Sequence, residues 1–325
     1  MITPNDIFQP HTEASFEKTA LEIFRCQAEN CPPYKEYLGS LDIDPATVDR
    51  FEKIPHLPIE FFKSREVYTA PAPPQTVFTS SGTTGQTPGR HPIADLALYE
   101  ESFFKGFQYF YGDPRKITFF ALLPSYLERS GSSLVYMADR LMRAGGRGGF
   151  FLNDHRALLD AMEKSAANGE KIVLLGVTYA LWELAEAHTF RFENLPVMET
   201  GGMKGRREEL PREALHTILA RSFGVETIHS EYGMTELLSQ AYSSGGGIFR
   251  PVPWMKISMR DIYAPGRLLP AGSRGRINVI DLANLHSCSF IATQDLGTAL
   301  PDGRFTVEGR IEGSEIRGCN LMVAG

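Results

Sequence analysis

Alternation constrains this chain most. Ile117-Thr118-Phe119-Phe120-Ala121-Leu122-Leu123 is an apolar run of strand length, and so is the run from Lys171 to Val177. Each is followed by a stretch with helical spacing: Leu134, Met137 and Leu141 before a stop at Gly145, then Leu181 and Leu184. A third helix follows Pro211 through Leu215, Ile218 and Leu219, and leads into a short strand at Val225–Ile228. Continuous apolar runs suit strands buried on both faces. Strand–helix alternation therefore predicts an α/β body with a mainly parallel sheet.

Around that body the pattern changes twice. Residues 12 to 30 read as a helix with Phe16, Ala20, Ile23 and Phe24 on one stripe, and Asp44 before Pro45 marks a further start. The Pro-punctuated run Ile54-Pro55-His56-Leu57-Pro58-Ile59-Glu60-Phe61-Phe62-Lys63 is expected to pack this N-terminal segment onto the body. Residues 94 to 111 read as a helix rich in aromatic side chains, as core or as the wall of an apolar substrate pocket. After Ser244-Gly245-Gly246-Gly247, read as a flexible break, come candidate strands at 255–259, 276–282 and 304–307. The expected organisation is one lobe: a helical segment over 1–75, an α/β body over 76–245 and a smaller β-rich subdomain over 246–325.

Composition excludes more than it assigns. The 325 residues carry a net charge of −6, so nothing global attracts nucleic acid or an anionic membrane. No apolar run approaches the ~18 residues of a membrane span, and the N-terminus lacks the pattern of a secretory signal. A cytoplasmic protein is expected. The four cysteines, Cys26, Cys31, Cys288 and Cys319, then read as free thiols with no zinc-ligand spacing.

Four short motifs carry chemistry. The first is Thr79-Ser80-Ser81-Gly82-Thr83-Thr84-Gly85-Gln86-Thr87-Pro88-Gly89-Arg90-His91. Glycines let backbone N–H groups turn inward, and hydroxyls add donors, as an anion-binding loop requires. It matches neither G-x-x-x-x-G-K-[ST] nor G-x-G-x-x-G, and composition alone fits a solvated loop equally well. The second is Ser230-Glu231-Tyr232-Gly233-Met234-Thr235-Glu236, placed after a predicted strand, where ligands of α/β sheets bind. Glu236 suits Mg²⁺, and Tyr232 offers a face for a base; a turn and a capped helix start fit the same residues. The third, Thr293-Gln294-Asp295-Leu296-Gly297, puts Asp295 after a strand, suited to ribose hydroxyls or to a plain turn. The fourth is Gly309-Arg310-Ile311-Glu312-Gly313-Ser314-Glu315-Ile316-Arg317-Gly318-Cys319.

In this order the four resemble the adenylate-forming superfamily of acyl-CoA synthetases, luciferases and nonribosomal peptide adenylation domains. The resemblance spans roughly residues 54 to 320. The run from Ile54 to Lys63 and the ending at Arg317-Gly318-Cys319-Asn320-Leu321 are similar to the acyl-protein synthetases of the fatty-acid reductase complex that supplies bacterial luciferase. Phenylacetate-CoA ligases are a more distant likeness.

The resemblance implies a fold, a site and a reaction. The fold would be the large N-terminal lobe of an adenylate-forming enzyme. Ser80, Ser81, Gly82, Thr83, Thr84 and Gly85 would grip the phosphates of ATP. Tyr232, with Gly233, would lie against adenine, Thr235 would touch the α-phosphate and Glu236 would hold Mg²⁺. Asp295 would bind the ribose, assisted by Arg310, and Gly201 and Gly202 belong to the glycine loop Glu199-Thr200-Gly201-Gly202-Met203-Lys204. Cys319 would accept the acyl group as a thioester, with Cys288 in reserve. A fatty or aryl acid would be the substrate, and a reductase or carrier protein the final acceptor. An acyl- or aryl-CoA ligase and a non-catalytic nucleotide-binding subunit are the alternatives. The superfamily's C-terminal domain of about 100 residues, with its lysine, is expected to be missing. Arg90, Lys204, Arg317 or a partner subunit would then take the place of that lysine.

Overall fold

The computed structural model describes residues 2–80, 87–123, 131–152, 154–190, 192, 195–201 and 210–311. The chain begins with a short helix α1 (Pro4–Ile7), then α2 (Glu13–Asn30) and α3 (Pro32–Ser40). Thr12 caps α2 by accepting from the Ser15 N–H at 3.2 Å, and Phe16, Ala20, Ile23 and Phe24 are buried as their spacing requires. Asp44 caps a single 3₁₀ turn at Pro45–Thr47 rather than a long helix. Leu57–Pro58 forms strand β1, and Phe61–Ser64 forms the short helix α4.

Next comes a hairpin, β2 (Thr76–Thr79) and β3 (Arg90–Ile93), with the hydroxyl- and glycine-rich loop at its tip. The aromatic helix α5 (Leu96–Tyr111) comes only after β3, so the loop joins two strands rather than a strand and a helix. The body then alternates: β4 (Ile117–Leu122), α6 (Ser133–Gly145), β5 (Gly148–Phe150), α7 (His155–Ala167), β6 (Lys171–Val177), α8 (Thr178–Ala187), β7 (Val197–Thr200), α9 (Arg212–Phe223) and β8 (His229–Tyr232). β9 (Ala241–Ser243), β10 (Ile248–Pro251), β11 (Met255–Arg260), β12 (Arg274–Asp281), β13 (Phe290–Thr298), β14 (Phe305–Thr306) and β15 (Gly309–Arg310) complete the described chain.

Among the described residues the larger sheet runs β14-β10-β9-β8-β7-β6-β4-β5, parallel from β5 to β8 and antiparallel from β8 to β14. The second sheet runs β1-β13-β12-β11, with β15 also on β13. β1 pairs in parallel with β13, so the run from Ile54 to Lys63 ties the N-terminal helices to the second sheet rather than to the α/β body.

Three local expectations change. The strand expected at Val225–Ile228 lies one step later, at His229–Tyr232, because those residues find partners on both β7 and β9. Ser230, Glu231 and Tyr232 are thus strand residues, not a loop after one. Ser244–Gly247 is the tight turn of the β9–β10 hairpin, with Gly246 and Gly247 both at φ 65°, a region open to glycine at little cost. Asp295 lies inside β13, not beyond it. The β12–β13 register shifts between Arg276 and Asn278, and β13 bulges there over Thr293–Asp295.

Candidate active site

The bulge in β13 aims Asp295 across at the larger sheet. Its Oδ2 accepts from the Tyr232 hydroxyl at 2.9 Å, and its Oδ1 accepts from Arg310 Nε at 3.1 Å. Arg310 is the register partner of Asp295 on β15, so strand pairing delivers the cation to the carboxylate. Asp295 is buried while the Arg310 side chain is exposed, so the pair closes one side of a solvent-facing rim. The Tyr232 ring packs edge-on against Phe249 and Phe305, and burial pushes its hydroxyl well above the usual phenol range. With its hydroxyl on Asp295, Tyr232 is a wall of the rim and a brace for the carboxylate. A carboxylate has about four lone-pair sites, so Asp295 retains capacity for a ligand's hydroxyls.

The opposite side is built from the β2–β3 hairpin and the Met234–Leu238 strap. At the base of the loop, Ser80 N–H donates to Gly89 O at 2.9 Å, and Gly89 N–H donates to Ser80 Oγ at 2.7 Å. Glu236 lies against this base. A Cβ at Gly89 would collide with Glu236 Oε1 and lie 3.2 Å from Ser80 Oγ, so glycine is what lets Glu236 lie against the base of the loop. His91, buried beneath the hairpin, donates from Nδ1 to the Thr235 carbonyl at 2.7 Å and is held neutral, its pKa lowered to about 4 by burial. Its Nδ1 contact holds the strap that presents Thr235 and Glu236.

The strap is fastened from below by residues the motif reading missed. Asp281, at the end of β12, accepts from the N–H groups of Leu238, Ser239 and Ala283 and from Ser239 Oγ. Asn284 Nδ2 donates to the Glu236 carbonyl at 2.8 Å. Asp281 stands next to last in the strand run predicted at 276–282, and an acid between Ile280 and Leu282 was the signal available in the sequence. Glu231 was also missed. It points between β7 and α5, takes a hydrogen bond from Thr200 Oγ1, and burial pushes it up to about 7.

Glu236 is the electrostatic centre. It is 5 % exposed, and burial pushes its carboxyl up to about 7 against the positive fields of Arg310 and Lys63. No cation among the described residues lies within ion-pair distance of it. A desolvated carboxylate in that condition, with a serine hydroxyl beside it, has the donor chemistry of a hard-cation ligand. These residues fit Mg²⁺.

Glu199, at the head of the glycine loop, is occupied otherwise. Its carboxylate receives Arg212 Nη1 at 3.1 Å, His216 Nε2 at 2.9 Å, Ser230 Oγ at 3.0 Å and Thr178 Oγ1 at 3.2 Å. Gly201 follows at φ 74°, exposed at the C-terminal end of β7. Cys288, the reserve acyl acceptor, is fully buried, and burial pushes its thiol well above the usual range, which makes it a poor nucleophile. Ser81, Gly82, Thr83, Thr84, Gly85, Gly202, Lys204, Arg317 and Cys319 lie outside the described residues.

Solved structures share this architecture. 2-Hydroxyisobutyryl-CoA ligase, in a postadenylation state with a bound acyl-AMP, superposes with a TM-score of 0.69 at 14% identity over 95% of this chain and 70% of that one. The fold is that of the large lobe of an adenylate-forming ligase. ATP-bound MatB from Rhodopseudomonas palustris gives a TM-score of 0.55 at 18% identity, over 72% of this chain and 47% of that one. O-succinylbenzoate coenzyme A synthetase from Bacillus subtilis, with ATP and magnesium ion, gives 0.53 at 18%, over 74% and 51%. The matched part is thus about half the length of the latter two enzymes. No model of a known protein family matches the sequence, and no curated protein sequence does. No described helix is long and apolar enough to cross a membrane.

Proposed function

We propose that this chain uses ATP to activate a carboxylic acid as an acyl-adenylate and passes the acyl group to a thiol. The observation that carries the reading is the shared rim. Two clusters of sequence-distant residues support it, Asp295 with Tyr232 and Arg310, and Glu236 with Ser80 and Gly89, near enough that the charges of Asp295 and Arg310 act on Glu236. The fold shared with ligases solved with ATP or acyl-AMP supports it.

In this reading Asp295 accepts the ribose hydroxyls and Thr235 faces the α-phosphate, while the hydroxyl-rich loop at the hairpin tip receives the phosphate tail. Glu236, beside Ser80, would hold Mg²⁺, which supplies charge neutralisation at the phosphates. The acid's carboxylate oxygen attacks the α-phosphorus, the bond to the bridging oxygen breaks, and pyrophosphate leaves with the electron pair. The obstacle is repulsion between two anions. Arg310 and donors fixed before the reaction oppose it, and such a preorganised donor is worth about 10²–10³ in rate. A thiolate then attacks the acyl carbon, and AMP leaves with the electron pair of the acyl–oxygen bond.

Two acceptors are in view. The resemblance to acyl-protein synthetases supports Cys319, loaded with a fatty acid for a reductase or carrier protein. The fold shared with a ligase captured with an acyl-AMP and CoA favours CoA, with a fatty or aryl acid as substrate. ATP–pyrophosphate exchange across a panel of carboxylic acids tests the first half-reaction. Exchange with at least one acid is expected; none with any acid makes the chain a nucleotide-binding subunit at most. With the best acid, a hydroxylamine-labile protein label lost in Cys319→Ser supports self-acylation, and CoA-dependent thioester release indifferent to Cys319→Ser supports CoA.

A further inference from the structure

Under the aromatic helix α5 lies a polar row that the rim does not use. Thr200 on β7, Glu231 on β8 and Tyr242 on β9 are register partners across three neighbouring strands, so their side chains share one face of the larger sheet. Strand alternation puts Tyr232, which meets Asp295, on the other face. Thr200 Oγ1 donates to the Glu231 carboxyl. Gln240 joins the row beside Gly233, where a Cβ would collide with Glu231 Oε1 and lie 3.3 Å from Gln240 Cγ.

α5 covers this row with rings. Tyr242 packs on Phe107, Phe110 and Tyr111, with ring centroids 6.4, 5.1 and 5.5 Å apart. Burial raises the hydroxyls of Tyr99, Tyr111 and Tyr242, and the charge of Glu231 adds to the effect in all three, which puts three phenols around one carboxyl. Two of the hydroxyls are engaged: Tyr99 donates to the Ser133 carbonyl at 3.1 Å, and Tyr111 Oη pairs with His229 Nδ1 at 3.1 Å. Tyr242 Oη and Gln240 Oε1 are buried and have no hydrogen-bond partner among the described residues.

Native folds rarely keep such atoms, because each costs as much as a lost hydrogen bond. A hydroxyl brought in by a ligand would satisfy them. It can donate to Glu231 or Gln240 and accept from Tyr242. The row also stands where a ligand can reach it. Thr200 and Glu231 lie at the C-terminal ends of parallel strands β7 and β8, the end at which α/β sheets bind ligands. Exposed Gly201 directly follows Thr200, and Tyr232 of the rim directly follows Glu231.

We propose that Glu231, Tyr242 and Gln240 bind a hydroxyl group carried by the acid, so that the chain activates a hydroxylated carboxylic acid in preference to a plain fatty or aryl one. This rests on the adenylation reading and names its substrate class. A plain alkyl or aryl tail leaves both orphaned atoms unpaired. An ammonium group accepts nothing from the Tyr242 O–H and brings a full charge under an apolar helix, which makes it the poorer match.

ATP–pyrophosphate exchange by the full chain tests this with matched acids: hexanoate against omega-hydroxyhexanoate and omega-aminohexanoate, and phenylacetate against its para-hydroxy and para-amino derivatives. The hydroxylated member of at least one set is expected to exceed its parent by about 10- to 100-fold in kcat/KM, the scale of hydrogen bonds that include one to a charged group. Tyr242→Phe and Glu231→Gln are each expected to lower that ratio by about tenfold. A purely structural role would change both acids alike, so a ratio unchanged in both variants overturns the proposal. Parents that exchange as well as their hydroxylated partners also overturn it and leave the adenylation reading standing. Preference for an amino derivative, lost in Glu231→Gln, overturns it in favour of a cationic substrate. No exchange with any acid fells both. Tyr242→Phe removes a hydroxyl without a partner and is expected to fold, as a thermal melt would show; it carries the comparison alone if Glu231→Gln does not fold.

Discussion

Glu199 and Glu236 are equally buried, each 5 % exposed, and they titrate in opposite directions. Burial pushes Glu199 up, but His216, Arg212 and Ser230 outweigh it and hold the carboxyl below its usual range. Burial pushes Glu236 up to about 7, and distant Arg310 and Lys63 do not reverse it. The difference is partnership. A buried carboxylate with four partners is part of the framework, and its charge is already compensated inside the fold. Glu236, with no close cation among the described residues, keeps its desolvation cost until something binds. The folded chain therefore marks a ligand site by what it leaves uncompensated.

The largest effect expected from this contrast is on Glu236. Glu236→Gln should lower ATP–pyrophosphate exchange by about 10²–10³ and at the same time stabilise the protein at high pH. The folded pKa is raised above the ordinary 4.5, so the wild-type group contributes stability that is present below that value and lost as pH rises through about 7. Glutamine does not titrate. Its advantage should grow between about pH 4.5 and 7 and level off above, on the order of 3 kcal/mol by urea unfolding. A variant less stable than wild type at pH 8 would break the contrast.

Glu199→Ala should do the reverse. It strands Arg212 and His216 and is expected to cost about 3 kcal/mol of stability, with AMP affinity within about twofold when measured well below the melting temperature. Loss of nucleotide binding without loss of stability would place Glu199 in the site instead.

Asp295 lies between these extremes, partly paired and partly open. Asp295→Asn should weaken AMP about tenfold, the scale of one hydrogen bond to a charged group, and leave inorganic pyrophosphate unchanged. Tyr232→Phe removes only the brace on Oδ2, so a threefold or smaller loss of AMP affinity, on the order of 0.5 kcal/mol, is the smallest change expected. An equal loss in both variants would mean that Asp295 acts through Tyr232 rather than on the ligand.

Much of the architecture was legible from local pattern. The strand at Lys171–Val177 and the helices at 12–30, 132–144 and after Pro211 formed where apolar spacing placed them, to within a residue or two. Spacing reports which face a segment can bury, and burial dominates where runs are long. The errors fell on short segments whose conformation is decided by partners. Val225–Ile228 has the β-branched content of a strand, yet His229–Tyr232 became one because β7 and β9 flank it. Asp295 read as a residue after a strand, since nothing local encodes a bulge opposite Ile277. The fastening of the strap by Asp281 and Asn284 spans more than 40 residues and left only an acid at the end of an apolar run as its trace.

By itself the sequence determined the inventory: an α/β alternation, a hydroxyl-rich loop, acids at 236 and 295 and an arginine at 310. Those come from residue chemistry and local spacing, which need no knowledge of neighbours. Tertiary structure alone decided the state of each acid. Asp295 was braced by Tyr232 and Arg310, Glu199 was held ionised by four partners, and Glu236 was buried against Gly89 with no close cation among the described residues. The physical reason is that a carboxylate's charge is set by desolvation and by groups within a few ångströms, and long-range strand pairing chooses those groups.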